Sequence, residues 1–148
     1  MPPPANLGLL LSQIQLPGLT YVESDIAKAW LNAHGAEYDQ IDFNVRLGEG
    51  TDPGEEYTQE VRNMSVLITQ KRADIVARIG GQADIIEVKV RVAFGALGQL
   101  LGYRTLWRIA HPELPVRSLI AIGRAVVPDC QPVIDESGIV VQIYPRPG

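Results

Sequence analysis

The chain has 148 residues, of which 46% are hydrophobic, a formal net charge of −4 and a single cysteine, Cys130. This length suits one domain with a substantial core and leaves no room for a separate recognition domain. One cysteine excludes an internal disulfide. The N-terminus lacks the charged region of a secretory signal, and no apolar run is long enough to span a membrane. The sequence therefore predicts a single cytoplasmic domain over 1–148.

The charges are unevenly distributed along the chain. Residues 1–59 carry nine acids and two bases, residues 60–124 carry five acids and ten bases, and residues 125–148 carry three acids and one base. The basic middle third permits contact with a phosphate backbone. A solvated surface of mixed charge explains the same distribution equally well.

The first elements are predicted from local signals. Residues 1–6 contain three consecutive prolines and are expected to form an extended tail, whereas 7–16 fit a strand or a helix equally. Thr20 followed by Glu23 forms a capping-box pattern, and apolar residues then recur at helical spacing as far as Gly35.

An alternating segment and an inserted helix are expected next. Residues 38–47 alternate between apolar and polar side chains, which predicts a half-buried strand with its apolar residues on one side. Asp52 followed by Pro53 is typical of a helix start, and we expect a loop over 48–51 and an inserted helix over about 53–68, with a strand over 65–69 as the competing interpretation.

The segment 72–91 contains two alternating runs joined by a Gly-Gly pair, which predicts a β-hairpin. With Gly80 and Gly81 in the turn, the register places Asp74 directly opposite Glu87. Two carboxylates about 5 Å apart repel each other by about 3 kcal/mol. A divalent cation between them would reverse that sign, and Mg²⁺ suits carboxylate ligands. Lys89 lies two residues beyond Glu87 and adds a positive charge on the same side of the strand.

A helix is predicted over 93–110, ending before Pro112. Gly95, Gly98 and Gly102 fall on one side of it, and we expect that side to lie against the backbone of the hairpin sheet, bringing Gln99 and Tyr103 near the acids. Short strands are expected over 117–123 and 139–144, with a turn or short helix at 129–137.

Asp74, a twelve-residue gap and then Glu87-Val88-Lys89 resemble the acidic core of the PD-(D/E)XK nuclease superfamily. The Gln99 to Tyr103 element resembles the Gln-x-x-x-Tyr helix of some of its branches, while Ala73 stands where the family name has proline. The resemblance implies a three-layer α/β/α sandwich with a central mixed sheet and a restriction-endonuclease-like core.

The same resemblance implies a Mg²⁺-dependent nuclease that cleaves DNA, with Mn²⁺ expected to substitute for Mg²⁺. It implies that Asp74 and Glu87 bind the metal ion and that Lys89 orients or activates water. Gln99 and Tyr103 would position the scissile strand. Glu23 is the candidate for a further metal ligand, although a capping box alone would explain an acid there.

Several alternatives remain open at the level of the sequence. Arg72 and Arg91 are expected to contact nucleic acid, and substrate choice is expected to come from DNA structure, a free end, dimerisation or a partner protein. Both endonuclease and exonuclease activity fit the pattern. The rival interpretations are a non-catalytic nucleic-acid-binding or assembly subunit and an α/β domain in which Asp74 and Glu87 are ordinary surface residues.

Overall fold

A five-stranded mixed sheet runs through the computed structural model, which describes residues 15–147. Its strands are β1 (Gln40–Leu47), β2 (Lys71–Ile79), β3 (Gln82–Val88), β5 (Val116–Gly123) and β7 (Val140–Ile143), in the spatial order β1-β2-β3-β5-β7. The first three strands pair antiparallel, and the last three pair parallel. A separate two-stranded parallel ribbon joins β4 (Arg91–Val92) to β6 (Ala125–Val126). The predicted tail and nearly all of 7–16 lie outside the described residues.

The helices lie on both faces of this sheet. They are α1 (Tyr21–His34), α2 (Gln59–Thr69), α3 (Phe94–Ala110) and α4 (Gln131–Ser137), with short 3-10 turns at Gly35–Glu37 and Pro128–Cys130. Helix α1 packs on one face and α3 on the other. The predicted fold class, an α/β sandwich around a mixed sheet, is therefore confirmed. None of the helices within 15–147 is long and apolar enough to cross a membrane.

Two apolar cores separate these layers. Trp30 and Ile26 of α1 pack against Ile75 and Ile86 of the hairpin. On the opposite face, Trp107 of α3 belongs to a second cluster; its other members include Val76, Ile85, Leu97, Leu100 and Leu119. Because both faces of the central strands are buried, the sheet is fixed between two helical layers.

Helix α1 begins where the sequence predicts. The Thr20 hydroxyl accepts a hydrogen bond from the Glu23 N–H at 3.3 Å, and the Glu23 carboxylate accepts one from the Thr20 N–H at 3.0 Å. Each bond satisfies a backbone donor that the first helical turn leaves free. The helix ends at Gly35, whose N–H donates to Leu31. These local signals need no tertiary contact, which is why the sequence predicts both ends.

Helix α2 begins six residues later than predicted. Its N-cap is Thr58, whose hydroxyl accepts from the Val61 N–H at 3.3 Å. The Asp52 carboxylate instead accepts from Gly54 and forms an ion pair with Arg62 at 2.7 Å. Gly54 has a φ of 111°, which no helix allows. The segment that resembles a helix start is therefore a turn, and the competing strand over 65–69 is also wrong.

Strand β1 does not keep one apolar side along its length. Ile41 and Phe43 pack with the core beneath α1, whereas Val45 and Leu47 pack with the core beneath α3. The change occurs at Asn44, whose φ of 53° lies in the left-handed region. A residue in that conformation breaks the alternation of an extended strand. The predicted common side is therefore wrong beyond Asn44.

The hairpin register is confirmed. Ile79 pairs with Gln82 across a turn in which Gly80 and Gly81 have φ of 53° and 78°. Pairing between β2 and β3 continues to Ile75 and Ile86 and goes no further. The next residues along these two strands are Asp74 and Glu87, so the acids lie where regular pairing ends.

The glycine side of α3 does not face the sheet. Gly95, Gly98 and Gly102 are exposed, and a methyl group added to any of them would meet no atom within 4 Å among the described residues. The helix instead buries the opposite side, which carries Ala96, Leu97, Leu100, Tyr103 and Trp107. The larger apolar surface decides the orientation, because burying it gains more free energy than close backbone packing. The prediction about the glycines is wrong.

Candidate active site

The site lies at the end of the β2–β3 pairing. The Asp74 carboxylate accepts a hydrogen bond from the backbone N–H of Val88 at 2.8 Å. If the β2–β3 pairing continued, the Val88 N–H would donate to a backbone carbonyl of β2. The Asp74 carboxylate accepts this hydrogen bond instead. This bond directs Asp74 towards β3 and holds its carboxylate beside the adjacent Glu87.

Glu87 is almost completely buried, with 3% of its surface exposed. Its Oε2 atom has no hydrogen-bond partner within the described part of the chain. Burial and the adjacent Asp74 carboxylate raise the pKa of Glu87 from 4.5 to about 9. The charged form of Glu87 is therefore unfavourable unless a positive charge enters the site.

Tyr103 and Lys89 lie beside the same carboxyl group. Lys89 and the Tyr103 hydroxyl both act to lower the pKa of Glu87, although less strongly than burial and Asp74 raise it. Tyr103 is 6% exposed, and burial followed by the charge of Glu87 raises its own pKa well above the usual range. The Lys89 backbone N–H donates to the Ile122 carbonyl at 3.0 Å, which fixes this residue to β5. The end of β3, strand β5 and helix α3 thus meet at Glu87.

Gln99 has a different environment from Tyr103. It lies one turn earlier on α3 and is exposed, so it is not buried against the acids as the sequence predicts. It lines an open groove of about 610 Å³ together with Gly98, Gly102 and Tyr103. Lys71, at the start of β2, lies on the other side of this groove. Tyr103 therefore belongs both to the groove and to the surroundings of Glu87.

Lys71 is a residue of this region that sequence reasoning missed. Its signal is weak, because an exposed lysine at the first residue of a strand is common on any surface. The position three residues before Asp74 has meaning only once Lys71 is seen to line the groove beside α3.

The structure does not bring Glu23 into the site. Its carboxylate is engaged in the α1 capping box, and residues 15–147 contain no group of three or more His, Cys, Asp or Glu side chains that could share an ion. Arg72 and Arg91 are both exposed. Arg72 pairs across the strands with Arg46 of β1, which gives that end of the sheet a positive charge.

The two carboxylates fit a hard divalent cation. Glu87 supplies a buried oxygen that has no partner among the described residues, and Asp74 supplies a half-buried carboxylate beside it. Mg²⁺ typically uses one or two protein carboxylates and takes its other ligands from water and substrate phosphate. The absence of a third acid among the described residues is therefore compatible with Mg²⁺. It does not suit Zn²⁺, which takes three or four protein ligands of nitrogen, sulfur or oxygen.

Asp84 is a second buried acid of the hairpin, on β3. It is fully buried and accepts hydrogen bonds from the Tyr38 hydroxyl at 2.7 Å and from Arg117 Nε at 3.0 Å. Its charge is thus compensated within the protein, unlike that of Glu87. Asp84 lies on the α1 side of the sheet and takes no part in the candidate site.

These features define an α/β protein with a pair of acids, a lysine and a tyrosine at the end of a strand pairing. No protein-family model matches the chain, and no curated protein matches it. It is similar to a solved structure of an EndoMS–dsDNA2 complex, with a TM-score of 0.49 and 12% sequence identity. The match covers 88% of this chain and 48% of the EndoMS chain, so this chain spans about half the length of that protein.

Proposed function

We propose that the protein is a Mg²⁺-dependent nuclease that hydrolyses phosphodiester bonds of DNA. The observation that carries the proposal is the buried Glu87 oxygen without a partner, held beside the Asp74 carboxylate. A purely structural site gains nothing from two adjacent acids, because one must be kept protonated at a cost in free energy. A cation that binds both acids supplies the missing charge.

Each residue of the site has a definite task in this reaction. Asp74 and Glu87 hold the ion, which when bound lowers the pKa of a coordinated water and polarises the phosphate. Lys89 places its ammonium group beside Glu87, where it orients the attacking water or stabilises charge on the phosphate. Tyr103 keeps the Glu87 carboxyl in place from the α3 side.

The groove along α3 is the proposed path of the scissile strand. Its wall of exposed glycines leaves room for a phosphate backbone, and Gln99 offers an amide to it. Lys71 on the opposite wall contributes a positive charge. DNA is proposed over RNA from the resemblance of the Asp74, Glu87 and Lys89 pattern to the PD-(D/E)XK superfamily, whose restriction-endonuclease-like core the mixed sheet also fits.

The proposal is tested by incubating the purified protein with linear, circular, single-stranded and double-stranded DNA in Mg²⁺, Mn²⁺ or EDTA. We expect cleavage with either ion and none in EDTA. Nicked circles would indicate an endonuclease, and label lost only from ends would indicate an exonuclease. Cleavage that persists in excess EDTA would refute the mechanism.

Three variants separate metal binding from catalysis. Asp74→Asn and Glu87→Gln remove a charged ligand, so Mg²⁺ affinity measured by calorimetry and cleavage should fall together. Lys89→Ala should leave Mg²⁺ bound and lower turnover by roughly 10² to 10³-fold, as expected for an electrostatic group at a reacting centre. Wild-type turnover in Lys89→Ala would exclude its role. A protein that binds DNA and Mg²⁺ but cleaves no substrate would favour the alternative of a non-catalytic binding subunit.

A further inference from the structure

Helix α2 exposes an apolar surface that the described part of the chain does not cover. None of its residues is buried against residues 15–147. Val61 is 47% exposed, Met64 57% and Ile68 72%, and Tyr57 just before the helix is 49% exposed. Val61, Met64 and Ile68 follow a 3-4 spacing within the helix, which places these three side chains in one stripe. A groove of about 500 Å³ runs along this stripe.

The rest of α2 is held firmly in place. Arg62 forms an ion pair with Asp52 at 2.7 Å, the Ser65 hydroxyl donates to the Thr51 carbonyl at 2.8 Å, and the Gln70 amide donates to the Gly48 carbonyl at 2.7 Å. Gly50 lies so close to Val66 that a methyl group on it would be 2.3 Å from the Val66 carbonyl oxygen. The helix is thus fixed by polar contacts on its inner side, and its apolar side points away from the protein.

Exposed charges at the two ends of this surface have opposite signs. Glu55, Glu56 and Glu60 lie at the N-terminal end of α2. Lys71 lies two residues beyond the C-terminal end of α2, and Arg46 and Arg72, which are cross-strand partners on β1 and β2, follow on the other face of the sheet. A surface with an apolar centre, an acidic end and a basic end complements a copy of itself turned through 180°.

We propose that α2 pairs antiparallel with α2 of a second copy of this chain about a two-fold axis. With the axis between Met64 and Ser65, Val61 of one protomer packs against the Ile68 position of its partner. The same register places Glu60 of each protomer opposite Thr69 of the other, two residues before Lys71. The apolar stripe is thereby covered, and both charged ends meet the opposite sign.

The N-terminal segment 1–14 is a less suitable occupant. It is apolar and could in principle cover the stripe, but it contains no charged side chain. It therefore cannot match the acidic and basic ends of the surface. The charges select a second copy instead.

A contact between helices of three turns is small compared with the 1,200–2,000 Å² of a typical stable interface, so we expect a reversible dimer with a dissociation constant on the order of tens of micromolar. Sedimentation velocity of the full chain from micromolar to near-millimolar concentration should show the mass rise from monomer to dimer. Added salt should weaken the dimer, because the charged ends lie in solvent.

Ile68→Glu should raise the dissociation constant about tenfold or more, because it places a charge in the apolar stripe. Ile109→Glu is the matched control, since Ile109 is 75% exposed at the end of α3 and should leave dimerisation unchanged. Circular dichroism checks that both variants fold. An equal effect of both substitutions, or none from Ile68→Glu, would overturn the pairing.

A charge swap tests the antiparallel register independently of the apolar stripe. Glu60→Lys and Lys71→Glu should each weaken the dimer, because each brings like charges together across the axis. The double variant restores opposite charges and should recover the wild-type dissociation constant. A protein that stays monomeric throughout the concentration range overturns the proposal. Protection of α2 from hydrogen exchange that is the same at every protein concentration also overturns it. That result would indicate segment 1–14 as the occupant of the stripe.

Discussion

Glu87 is a buried acid beside a second acid, and in the absence of a cation a bound proton neutralises its charge. With a pKa of about 9, it is uncharged at neutral pH in the metal-free protein. Under the proposed function, a divalent ion that entered the site would displace this proton, so Mg²⁺ binding would release a proton and strengthen as pH rises. Asp74 is half-buried, and its carboxylate accepts a hydrogen bond from the Val88 N–H. The two acids have the same chemistry but unlike surroundings.

This difference predicts how stability depends on pH. In EDTA the folded protein keeps a proton on Glu87 that the unfolded chain loses above pH 4.5. The free energy of unfolding should therefore fall between about pH 4.5 and pH 9, by up to about 1.4 kcal/mol per pH unit. Glu87→Gln cannot ionise and should lose this slope, which urea unfolding at a series of pH values will measure.

Glu136→Gln is the control for that experiment, since Glu136 is exposed on α4. Its stability should follow the wild-type pH dependence. A Glu87→Gln protein that retains the full wild-type slope would show that Glu87 is charged in the folded state, contrary to its burial.

Helix α3 shows how a single element can serve two surroundings. Its apolar side closes the core through Leu97, Leu100 and Trp107. Its opposite side carries three glycines in open space and forms a wall of the groove beside Tyr103. Glycine within a helix costs free energy, and here no packing contact within the described chain offsets that cost. Glycines have no side chain that would project into the groove, and a groove that accepts a nucleic-acid strand would require this.

Stability measurements can test this orientation of α3. Gly98→Ala and Gly102→Ala should each stabilise the protein by about 1 kcal/mol, because alanine favours the helix and the added methyl group meets no atom. Gly123→Ala is the contrasting variant, since its methyl group would lie 2.5 Å from the Lys89 carbonyl oxygen. It should destabilise the fold. Thermal unfolding of the three variants decides the matter, and destabilisation by Gly98→Ala would contradict the exposed position.

The sequence predicts elements whose signals are local. The capping box of α1 and the Gly80-Gly81 turn each involve residues a few positions apart, so their geometry follows from the chain itself. The position of Asp74 opposite Glu87, one residue beyond the last paired position, follows from that turn by counting. The Asp52-Pro53 signal fails because a distant partner, Arg62, engages the carboxylate that would have capped the helix.

Features that depend on tertiary contacts could not be predicted. The orientation of α3 depends on which side meets the sheet, and the glycines alone gave the wrong answer although the larger apolar arc lies opposite them. The partners of Asp84 come from residues 46 and 33 positions away. The left-handed Asn44 has no sequence signal beyond asparagine's tolerance of that conformation.

Across the whole molecule, an ion pair between the buried Asp84 carboxylate and the partly exposed Arg117 guanidinium joins segments that are distant in the sequence. Asp84 of β3 lies between Arg117 of β5 and Tyr38, which follows α1, and the Arg117 guanidinium also lies 5.8 Å from the centre of the Tyr38 ring. The group connects the α1 layer to the two central parallel strands. It lies on the opposite side of the sheet from Glu87, so it supports the fold and does not enter the proposed chemistry.

Removing Arg117 should therefore destabilise the protein without changing metal binding. Arg117→Met leaves the buried Asp84 carboxylate with only the Tyr38 hydroxyl, which should cost on the order of 1 to 2 kcal/mol because the Arg117 guanidinium is itself partly exposed. Arg108→Met, on the exposed side of α3, should change the free energy of unfolding by less than about 0.5 kcal/mol. Urea unfolding measures both, and calorimetry should find Mg²⁺ affinity unaltered in each. Equal stabilities would show that Asp84 is compensated by other groups.

Asn44 also affects how the molecule behaves at high concentration. Strand β1 has no strand on its outer side among the described residues, so its outward backbone groups could template the addition of another chain. Asn44, with a φ of 53°, interrupts this free edge and leaves extended runs of only four residues before it and three after it. Such runs are shorter than a typical strand. The residue that directs the side chains of β1 into two cores thereby also limits aggregation through the free edge of the sheet.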